Sequence, residues 1–276
     1  MTSMLNMDIA ARWRETVRED DDWVVVRGHA RSGHQGGVVA LSKRLGRRVY
    51  IKPKAPMVTR AAANEKLAAD LGHDLGVNVP PAVLTSPPTE GWGGQELVVA
   101  SLVMYGFQLH WGAAKHGFRN PPANTDRPDE SVRGAILSNT EWGEVLRQIS
   151  PVPAARAFVF DTWVGQADHD HPSNIAWGVN PDDESDTALM FFDYEMAFGV
   201  GMWRDVQAAP FPAELLALLD RDEVERTVQA VESFDEERLT STVARVPDSH
   251  LAPDDKADII RQLLARRALV RAAVGV

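Results

Sequence analysis

The sequence predicts an α+β fold with two lobes, a β-rich N-terminal lobe with one main helix and a mainly helical C-terminal lobe. Before residue 105, short apolar runs bounded by Gly, Pro and Asp indicate strands, with one helical pattern among them. From Ser131 onward helical patterns dominate, interrupted by a single strand pair. We therefore expect an N-terminal lobe over residues 1–105 and a C-terminal lobe over residues 106–276.

The N-terminal lobe contains three predicted strands, one helix and two further strands, after a short helix within Met1–Arg18. The helix begins after Thr59, a candidate N-cap, and ends near Leu71 or Leu75, where glycines follow. Its apolar residues recur every four positions, which predicts one face packed on the sheet. The predicted strands are Trp23–Gly28, Val38–Leu41, Arg48–Lys52, Val77–Leu84 and Glu96–Met104.

The C-terminal lobe contains five predicted helices and one hairpin. The hairpin strands are Asn174–Val179 and Ala188–Asp193, joined by the polar turn Asn180–Thr187. Residues Tyr105–Glu130 are rich in Pro, Asn and Asp and predict an irregular connection. The predicted helices are Val132–Ile149, Pro153–Val164, Pro212–Leu219, Asp222–Ser233 and Pro253–Val274.

Composition excludes several classes of protein. The 276 residues contain no cysteine, so a disulfide framework, a thiol nucleophile and a Cys-based zinc site are excluded, and a reducing cytoplasm fits. The formal net charge of −10 argues against nucleic acid as the main partner, because phosphate binding needs a basic face. The sequence shows neither an apolar run long enough for a membrane span nor a signal-peptide pattern, so we expect a cytoplasmic protein.

An Asp, an Asn and a second Asp stand in an order that phosphoryl transfer uses. Asp168 comes first, Asn174 follows six residues later, and Asp193 ends the apolar run ALMFFD. If the hairpin is symmetric about its turn, Asn174 faces Asp193, and facing residues of an antiparallel pair lie about 4.5–5.5 Å apart. An amide oxygen and a carboxylate at that separation can share one Mg²⁺. With Asp168 on the preceding loop to face a hydroxyl, this is the arrangement of a kinase.

A lysine on a strand and a glutamate on the following helix form a second pattern. Lys52 ends the run RVYIK, where a buried ammonium needs a partner. Glu65 follows thirteen residues later and is surrounded on its helix face by four alanines, which let a helix approach a sheet closely. Kinases use such a pair to hold a lysine on the nucleotide phosphates. Taken alone, the pattern is better explained by a surface Lys and an exposed Glu on an Ala-rich helix; taken with Asp168, Asn174 and Asp193, it favours the kinase pair.

A glycine-rich segment separates the first two predicted strands. Gly33, Gly36 and Gly37 lie in GHARSGHQGG, between WVVVRG and VVAL. Strand, glycine-rich turn and strand are the parts of a loop that covers nucleotide phosphates. Any loose hairpin has the same parts, so both interpretations stay open.

The run Asp168–His171 allows a different interpretation. Alternating Asp and His are good ligands for zinc and other transition metals, which would suit a metal-dependent hydrolase. The remaining histidines are scattered, however, and a hydrolase leaves Lys52, Glu65 and Asn174 without a role. In the kinase interpretation, His171 orients the catalytic segment by hydrogen bonds.

Two segments of the chain resemble the HipA-like kinases, within the broader protein-kinase and phosphoinositide-kinase-like fold. VYIKPKAPMVTRAAANEKLAADLGHDLGVNVPPAVL is similar to the family's nucleotide-lysine strand, acidic helix and following strand. FDTWVGQADHDHPSNIAW with FFDYEMAFG is similar to its catalytic loop and metal-binding segment. The resemblance implies a two-lobed protein-kinase-like fold that binds ATP and Mg²⁺, with a protein Ser/Thr or a small molecule as phosphoacceptor.

The resemblance also implies a role for each site residue. Lys52 contacts the ATP phosphates and Glu65 positions it. Asp168 is the catalytic base, Asn174 is a metal ligand and Asp193 is the main metal ligand.

The spacing of the catalytic loop departs from the family pattern. Related kinases place the catalytic Asp five residues before the Asn, and that position is His169 here. Asp168 lies six residues before Asn174 and Asp170 four before it. We assign the base to Asp168, because VGQAD matches the family's approach to the loop, with Asp170 as the alternative. A catalytically degenerate pseudokinase that binds nucleotide or a partner is the second hypothesis.

Overall fold

The computed structural model describes residues 2–26, 38–52, 60–87, 98–102, 107–110, 151–171, 174–180, 183–200 and 203–276. The glycine-rich segment with Gly33, Gly36 and Gly37 lies outside these residues, as does the predicted helix Val132–Ile149. The expected lobe boundary at 105/106 lies outside them as well. Within the described ranges no helix is long and apolar enough to cross a membrane.

The N-terminal part is a five-stranded antiparallel sheet with one helix on each side. Its strand order is β1-β2-β3-β5-β4. The predicted order of three strands, one helix and two strands is confirmed. The elements are α1 (Thr2–Glu15), β1 (Trp23–Val25), β2 (Val38–Ser42), β3 (Arg47–Lys52), α2 (Ala61–Asp74), β4 (Ala82–Thr85) and β5 (Val98–Leu102).

The alternation of side chains along β3 decides where Lys52 points. Val49 and Ile51 are fully buried and belong to the apolar cluster that includes Trp13 of α1. Successive strand residues face opposite sides of a sheet, so Lys52 faces away from that cluster. Its cross-strand partner is Val99 of β5, which packs in the larger core together with α2. Lys52 therefore lies on the α2 side of the sheet.

The helix α2 is buried along most of its length. All residues from Ala61 to Gly72 are buried, although they include Asn, Glu, Lys and Asp. Its alanines allow the close approach to the sheet that the sequence predicts. The N-cap position is Arg60, and its side chain makes no capping bond, so the predicted cap at Thr59 is one residue too early.

The C-terminal part is mainly helical and shares one apolar core with α2. The predicted helix Pro253–Val274 is interrupted at Ala268 and Leu269, and Glu236–Arg245 is a helix that the sequence analysis did not predict. The helices are α3 (Pro151–Val164), α4 (Ala213–Leu216), α5 (Arg221–Glu232), α6 (Glu236–Arg245), α7 (Pro253–Arg267) and α8 (Val270–Val274).

A three-stranded antiparallel sheet combines one strand that precedes α3 in the chain with the hairpin that follows it. Its strands are β6 (Phe107–His110), β7 (Ile175–Asn180) and β8 (Asp183–Phe191), in that order. The predicted irregular connection Tyr105–Glu130 thus contains a strand. Most of the predicted turn Asn180–Thr187 also belongs to β8.

The predicted hairpin register is wrong by one residue. Ile175 pairs with Phe191, and the main-chain N–H of Phe192 donates to the carbonyl of Asn174 at 2.8 Å. Asn174 is therefore opposite Phe192, and Asp193 is the next residue along the chain. The register shifts between Val179 and Asn180, where the ladder is irregular, and a symmetric hairpin does not anticipate that shift.

Candidate functional site

Lys52 is held between two carboxylates. Its Nζ atom donates to Glu65 Oε1 at 2.5 Å and to Asp193 Oδ1 at 2.7 Å. The side chains of Lys52 and Glu65 are 16% and 7% exposed, and that of Asp193 is 31% exposed. The expected ion pair between strand and helix is confirmed. Asp193 is the one member of the three that remains substantially open to solvent.

The electrostatics of this group follow from its burial. Burial disfavours the Lys52 ammonium, yet Glu65 and Asp193 outweigh it and raise the pKa of Lys52. Burial also raises the pKa of Glu65, and the Lys52 charge opposes that rise. The single ammonium of Lys52 thus faces two carboxylates. The exposed edge of these three side chains therefore favours binding of a further cation over binding of an anion.

Asp193 has an unusual backbone conformation. Its φ of 66° and ψ of 56° lie in the left-handed region, which non-glycine residues adopt at a cost of roughly 1–2 kcal/mol. It immediately precedes the 3-10 helix Tyr194–Met196. The buried side chain of Gln166 supports the conformation, because its Nε2 atom donates to the carbonyl of Asp193 at 2.8 Å.

Asp168 and Asn174 meet on the loop between α3 and β7. The Nδ2 atom of Asn174 donates to Asp168 Oδ2 at 2.9 Å and to the Asp168 carbonyl at 3.0 Å. These bonds orient the amide with its Nδ2 atom toward Asp168. Asp168 is half-buried, whereas Asp170 and His171 are exposed. The main chain of His171 closes the loop, as its N–H donates to Asp168 and its carbonyl accepts from Asn174.

His169 lies five residues before Asn174, and it is fully buried. Its Nδ1 contacts Asp161 Oδ2 at 2.6 Å and its Nε2 contacts the Phe192 carbonyl at 2.7 Å. Burial lowers the pKa of His169, but Asp161 and the carbonyl outweigh it and raise the pKa overall. Because both ring nitrogens of His169 face acceptors, its imidazolium form is favoured. The hydroxyl of Tyr194 donates to the other oxygen of Asp161 at 3.0 Å.

This buried network excludes His169 from chemistry and gives it a structural role. It joins three segments: Asp161 on α3, His169 in the loop, and the chain on either side of Asp193. The sequence analysis missed Asp161, although a lone carboxylate within the apolar run FVFDTWV indicates an internal hydrogen-bonding role.

The described side chains suit a magnesium site better than a transition-metal site. Asp193 and Asn174 provide oxygen atoms, which Mg²⁺ prefers. Among the residues that the structure describes, no group of three or more His, Cys, Asp or Glu side chains is arranged to hold a metal ion. The run Asp168–His171 is not such a cluster, since His169 points inward while Asp170 and His171 are exposed. The hydrolase interpretation therefore gains no support.

The fold as a whole is similar to that of a solved structure. The chain is similar to the crystal structure of the Helicobacter pylori proinflammatory kinase CtkA, with a TM-score of 0.62 and 12% sequence identity. The match covers 92% of this chain and 96% of that one. The fold is protein-kinase-like. No family model matches the sequence, and no curated protein is similar to it in sequence.

Within the kinase-like fold, Glu195 is a further carboxylate near the Lys52 group. Burial, then repulsion from Asp193, raises its pKa to about 7. Asp168 adds to the same repulsion. The edge of the site that carries Asp193 is therefore rich in negative charge, which suits a divalent cation more than a bare phosphate.

Proposed function

We propose that the protein is an ATP-dependent phosphotransferase of the HipA-like type, which moves the γ-phosphate of Mg-ATP to a hydroxyl group. The observation that carries the proposal is the bridge from Lys52 to both Glu65 and Asp193. Phosphoryl transfer needs a fixed cation for the phosphates beside a carboxylate for the metal, and these three side chains supply both within one contact group.

The described residues divide the work between binding and proton transfer. Lys52, oriented by Glu65, would bind the phosphate oxygens. Asp193 and the Oδ1 atom of Asn174 would hold Mg²⁺, which when bound neutralises charge on the phosphates. Asp168 would accept the proton of the acceptor hydroxyl. Its carboxylate is oriented by Asn174 Nδ2, so the base and the metal ligand are fixed relative to each other.

The choice of Asp168 over Asp170 as the base is supported by their surroundings. Asp168 is half-buried and hydrogen-bonded to a proposed metal ligand, whereas Asp170 is exposed. A catalytic carboxylate must be positioned against its substrate, and Asp168 alone of the two is bound to the site. Asp170 stays the alternative.

The phosphoacceptor is a protein Ser/Thr or a small molecule, and the N-terminal and C-terminal lobes would divide near residue 105. Kinase activity is stated for the similar Helicobacter pylori protein, and the present proposal adopts that activity on the strength of this chain's own site residues. We expect a cytoplasmic protein that uses ATP and Mg²⁺.

A pseudokinase is the second candidate, and one observation favours it. The position five residues before Asn174 is the buried His169, which cannot act as a base. If neither Asp168 nor Asp170 reaches the acceptor hydroxyl, the site would bind Mg-ATP without transferring phosphate.

Two measurements on the purified protein test the proposal and separate the candidates. Calorimetric titration with a non-hydrolysable ATP analogue, with and without Mg²⁺, tests binding, and release of ADP in the presence of Mg-ATP tests turnover. Mg²⁺-dependent binding with turnover supports the kinase. Binding of the nucleotide without ADP release, whichever acceptor is supplied, supports the pseudokinase. Absence of nucleotide binding contradicts both the kinase and the pseudokinase.

A further inference from the structure

Three side chains from the first two turns of α2 bind the chain segment that follows Asp193. We define this segment as the post-metal segment, Tyr194–Gly199. Asn64 Nδ2 donates to the carbonyls of Glu195 and Ala197 at 2.8 and 2.9 Å. Arg60 Nη2 donates to the carbonyls of Phe198 and Gly199 at 3.3 and 3.0 Å.

Glu65 adds a bond of the opposite kind. Its carboxylate, already bound to Lys52, accepts a hydrogen bond from the main-chain N–H of Tyr194, which opposes the rise of the Glu65 pKa. One helix face therefore engages both donors and acceptors of the post-metal segment. Residues four apart lie on the same face of a helix, which is why Arg60 and Asn64 reach successive parts of it.

The side chain of Asn64 is specialised for this contact. It is fully buried, and both its N–H groups point at main-chain carbonyls while its Oδ1 atom has no hydrogen-bond partner. A buried acceptor left unpaired costs free energy, so the stabilising contribution of this amide comes from the two hydrogen bonds that it donates. No other side chain type of this size offers two N–H donors from one atom.

The post-metal segment needs such support because its own backbone is irregular. Phe198 has a φ of 58° and Gly199 a φ of 71°, both in the left-handed region. At Gly199 an added Cβ would lie 2.6 Å from the Trp203 ring, so the segment has little room to rearrange. Of the four carbonyls that Asn64 and Arg60 bind, that of Glu195 is in one turn of 3-10 helix and the other three lie outside regular secondary structure.

We infer that Asn64, assisted by Arg60, is a positioning residue that latches the post-metal segment to α2, so that Asp193 and the Lys52–Glu65 pair assemble as one unit. Asn64 precedes Glu65 directly, and the segment follows Asp193 directly. Displacement of either partner would separate the metal carboxylate from the lysine. This inference rests on the proposed function for its catalytic consequence, but the latch itself is a property of the folded chain.

Loss of the latch should change the affinity for Mg-ATP without changing the rate of phosphoryl transfer by the molecules that bind it. If it opens, only a fraction of molecules is competent to bind, and apparent affinity falls by that fraction while bound molecules react normally. Asn64 touches none of the proposed reacting groups, so the maximal turnover at saturating Mg-ATP should be nearly unchanged.

The decisive variant is Asn64→Asp, which keeps the shape of the side chain and removes both N–H donors. The matched control is Asn78→Asp, because Asn78 Nδ2 donates to the carbonyl of Leu189 at 2.9 Å and does not contact the post-metal segment. Arg60→Met, which removes a less buried donor, provides a second variant if Asn64→Asp does not fold.

Hydrogen exchange tests the latch without any ligand. In Asn64→Asp, amides of the post-metal segment should exchange on the order of ten-fold faster or more, since two buried hydrogen bonds are lost. The same amides should be unchanged in Asn78→Asp, and Arg60→Met should show a smaller rise. Equal exchange of the segment in wild type and both latch variants overturns the inference.

Titration with Mg-ATP tests the catalytic consequence. The apparent Kd of Asn64→Asp should rise about ten-fold, with turnover at saturation within about three-fold of wild type. A loss of turnover at saturation with unchanged affinity, or an equal loss of affinity in Asn78→Asp, overturns the positioning role. If the wild type binds no Mg-ATP, the proposed function fails while the exchange result still decides the latch.

Discussion

The Nζ atom of Lys52 lies 2.7 Å from Oδ1 of Asp193, although 141 positions separate the two residues in the sequence. The contact joins the N-terminal sheet to the hairpin of the C-terminal part through one ammonium group. Glu65 completes it from α2. Three distant segments are thus brought to a single charged centre, which is where the proposed chemistry is expected to take place.

Replacement of Asp193 by Ala should abolish Mg²⁺-dependent nucleotide binding while the protein stays folded. The carboxylate is half-exposed at the edge of the site, so its loss removes a metal ligand without opening the core. Calorimetric titration with an ATP analogue and Mg²⁺ measures the effect, and circular dichroism checks the fold. Full ATP turnover by a folded Asp193→Ala protein would contradict the kinase assignment.

The variants Lys52→Met and Glu65→Gln should weaken Mg-ATP binding non-additively, because Glu65 acts through Lys52. Each single change should cost roughly ten-fold or more in affinity, and the double variant should cost little beyond the Lys52→Met change. A double-mutant cycle on apparent Kd measures the coupling. Strictly additive losses would show that Glu65 does not act by holding the lysine.

Asp168→Asn should lower turnover by ~10²-fold or more with nucleotide affinity nearly unchanged, since positioned acid–base catalysis is typically worth that much. Asp170→Asn is the matched control and should have little effect, because Asp170 is exposed. Steady-state kinetics on both variants decides the assignment. A loss confined to Asp170→Asn would move the base by two residues.

The Lys52–Glu65 pair shows which features of the site were accessible from sequence. A strand lysine cannot be buried alone, and the alanine-rich face around Glu65 predicts close packing, so the pair was predictable once the downstream Asp and Asn residues were considered with it. The relation of Asn174 to Asp193 was not accessible in the same way. It depends on hairpin register, which differs by one residue from that of a symmetric hairpin because the ladder is irregular between Val179 and Asn180.

Two other features were not predicted. The helix α6 contains the weak helix formers Thr240, Ser241 and Thr242, and its N-terminal signal is the cap at Asp235, whose carboxylate accepts from Arg238 N–H at 2.5 Å. His169 lies in a run that suggests metal binding, and only the position of Asp161 on α3 makes it a buried structural residue. The burial of His169 does not follow from periodicity, whereas Leu239, Thr242 and Val243 of α6 are buried at helical spacing, a pattern that the sequence analysis did not use.

The stability contributed by Asp70 should fall as pH rises through about 6. Burial raises its pKa from 3.8 to about 6, and Lys66, which donates to it at 2.8 Å, opposes that rise. Folding therefore favours the protonated form of Asp70. Its contribution to the free energy of unfolding is full below pH 3.8 and lost above pH 6. Relative to Asp70→Asn, the wild type should lose roughly 1–2 kcal/mol of unfolding free energy between about pH 5 and 7.5.

Urea denaturation of the wild type and Asp70→Asn across that pH range measures the difference. The variant is uncharged at this position at every pH, so titrations of groups that do not contact Asp70 cancel, whereas the buried Lys66 loses its carboxylate partner. A difference between the two proteins that does not change with pH would contradict the raised pKa of Asp70.

Arg266→Met should lower the free energy of unfolding by about 2–4 kcal/mol, because it leaves several buried carbonyls unpaired. Arg266 donates to the carbonyls of Thr162, Trp163 and Arg204 at 2.8, 2.6 and 3.0 Å, and it closes the end of α3 just before the catalytic loop. Arg267→Met, which removes one such bond, to Phe234, is the control and should cost less. Equal losses in the two variants would argue against this capping role.

The left-handed backbone of Asp193 implies that the site is maintained at the expense of thermal stability. Ala and Gly at this position both lack the carboxylate, and they differ in that glycine tolerates a φ of 66°. Asp193→Gly should therefore unfold at a higher temperature than Asp193→Ala, by an amount equivalent to about 1 kcal/mol. Neither variant would bind Mg-ATP. A search for heat-resistant variants of this protein would thus be drawn toward glycine at a position where glycine ends its proposed activity.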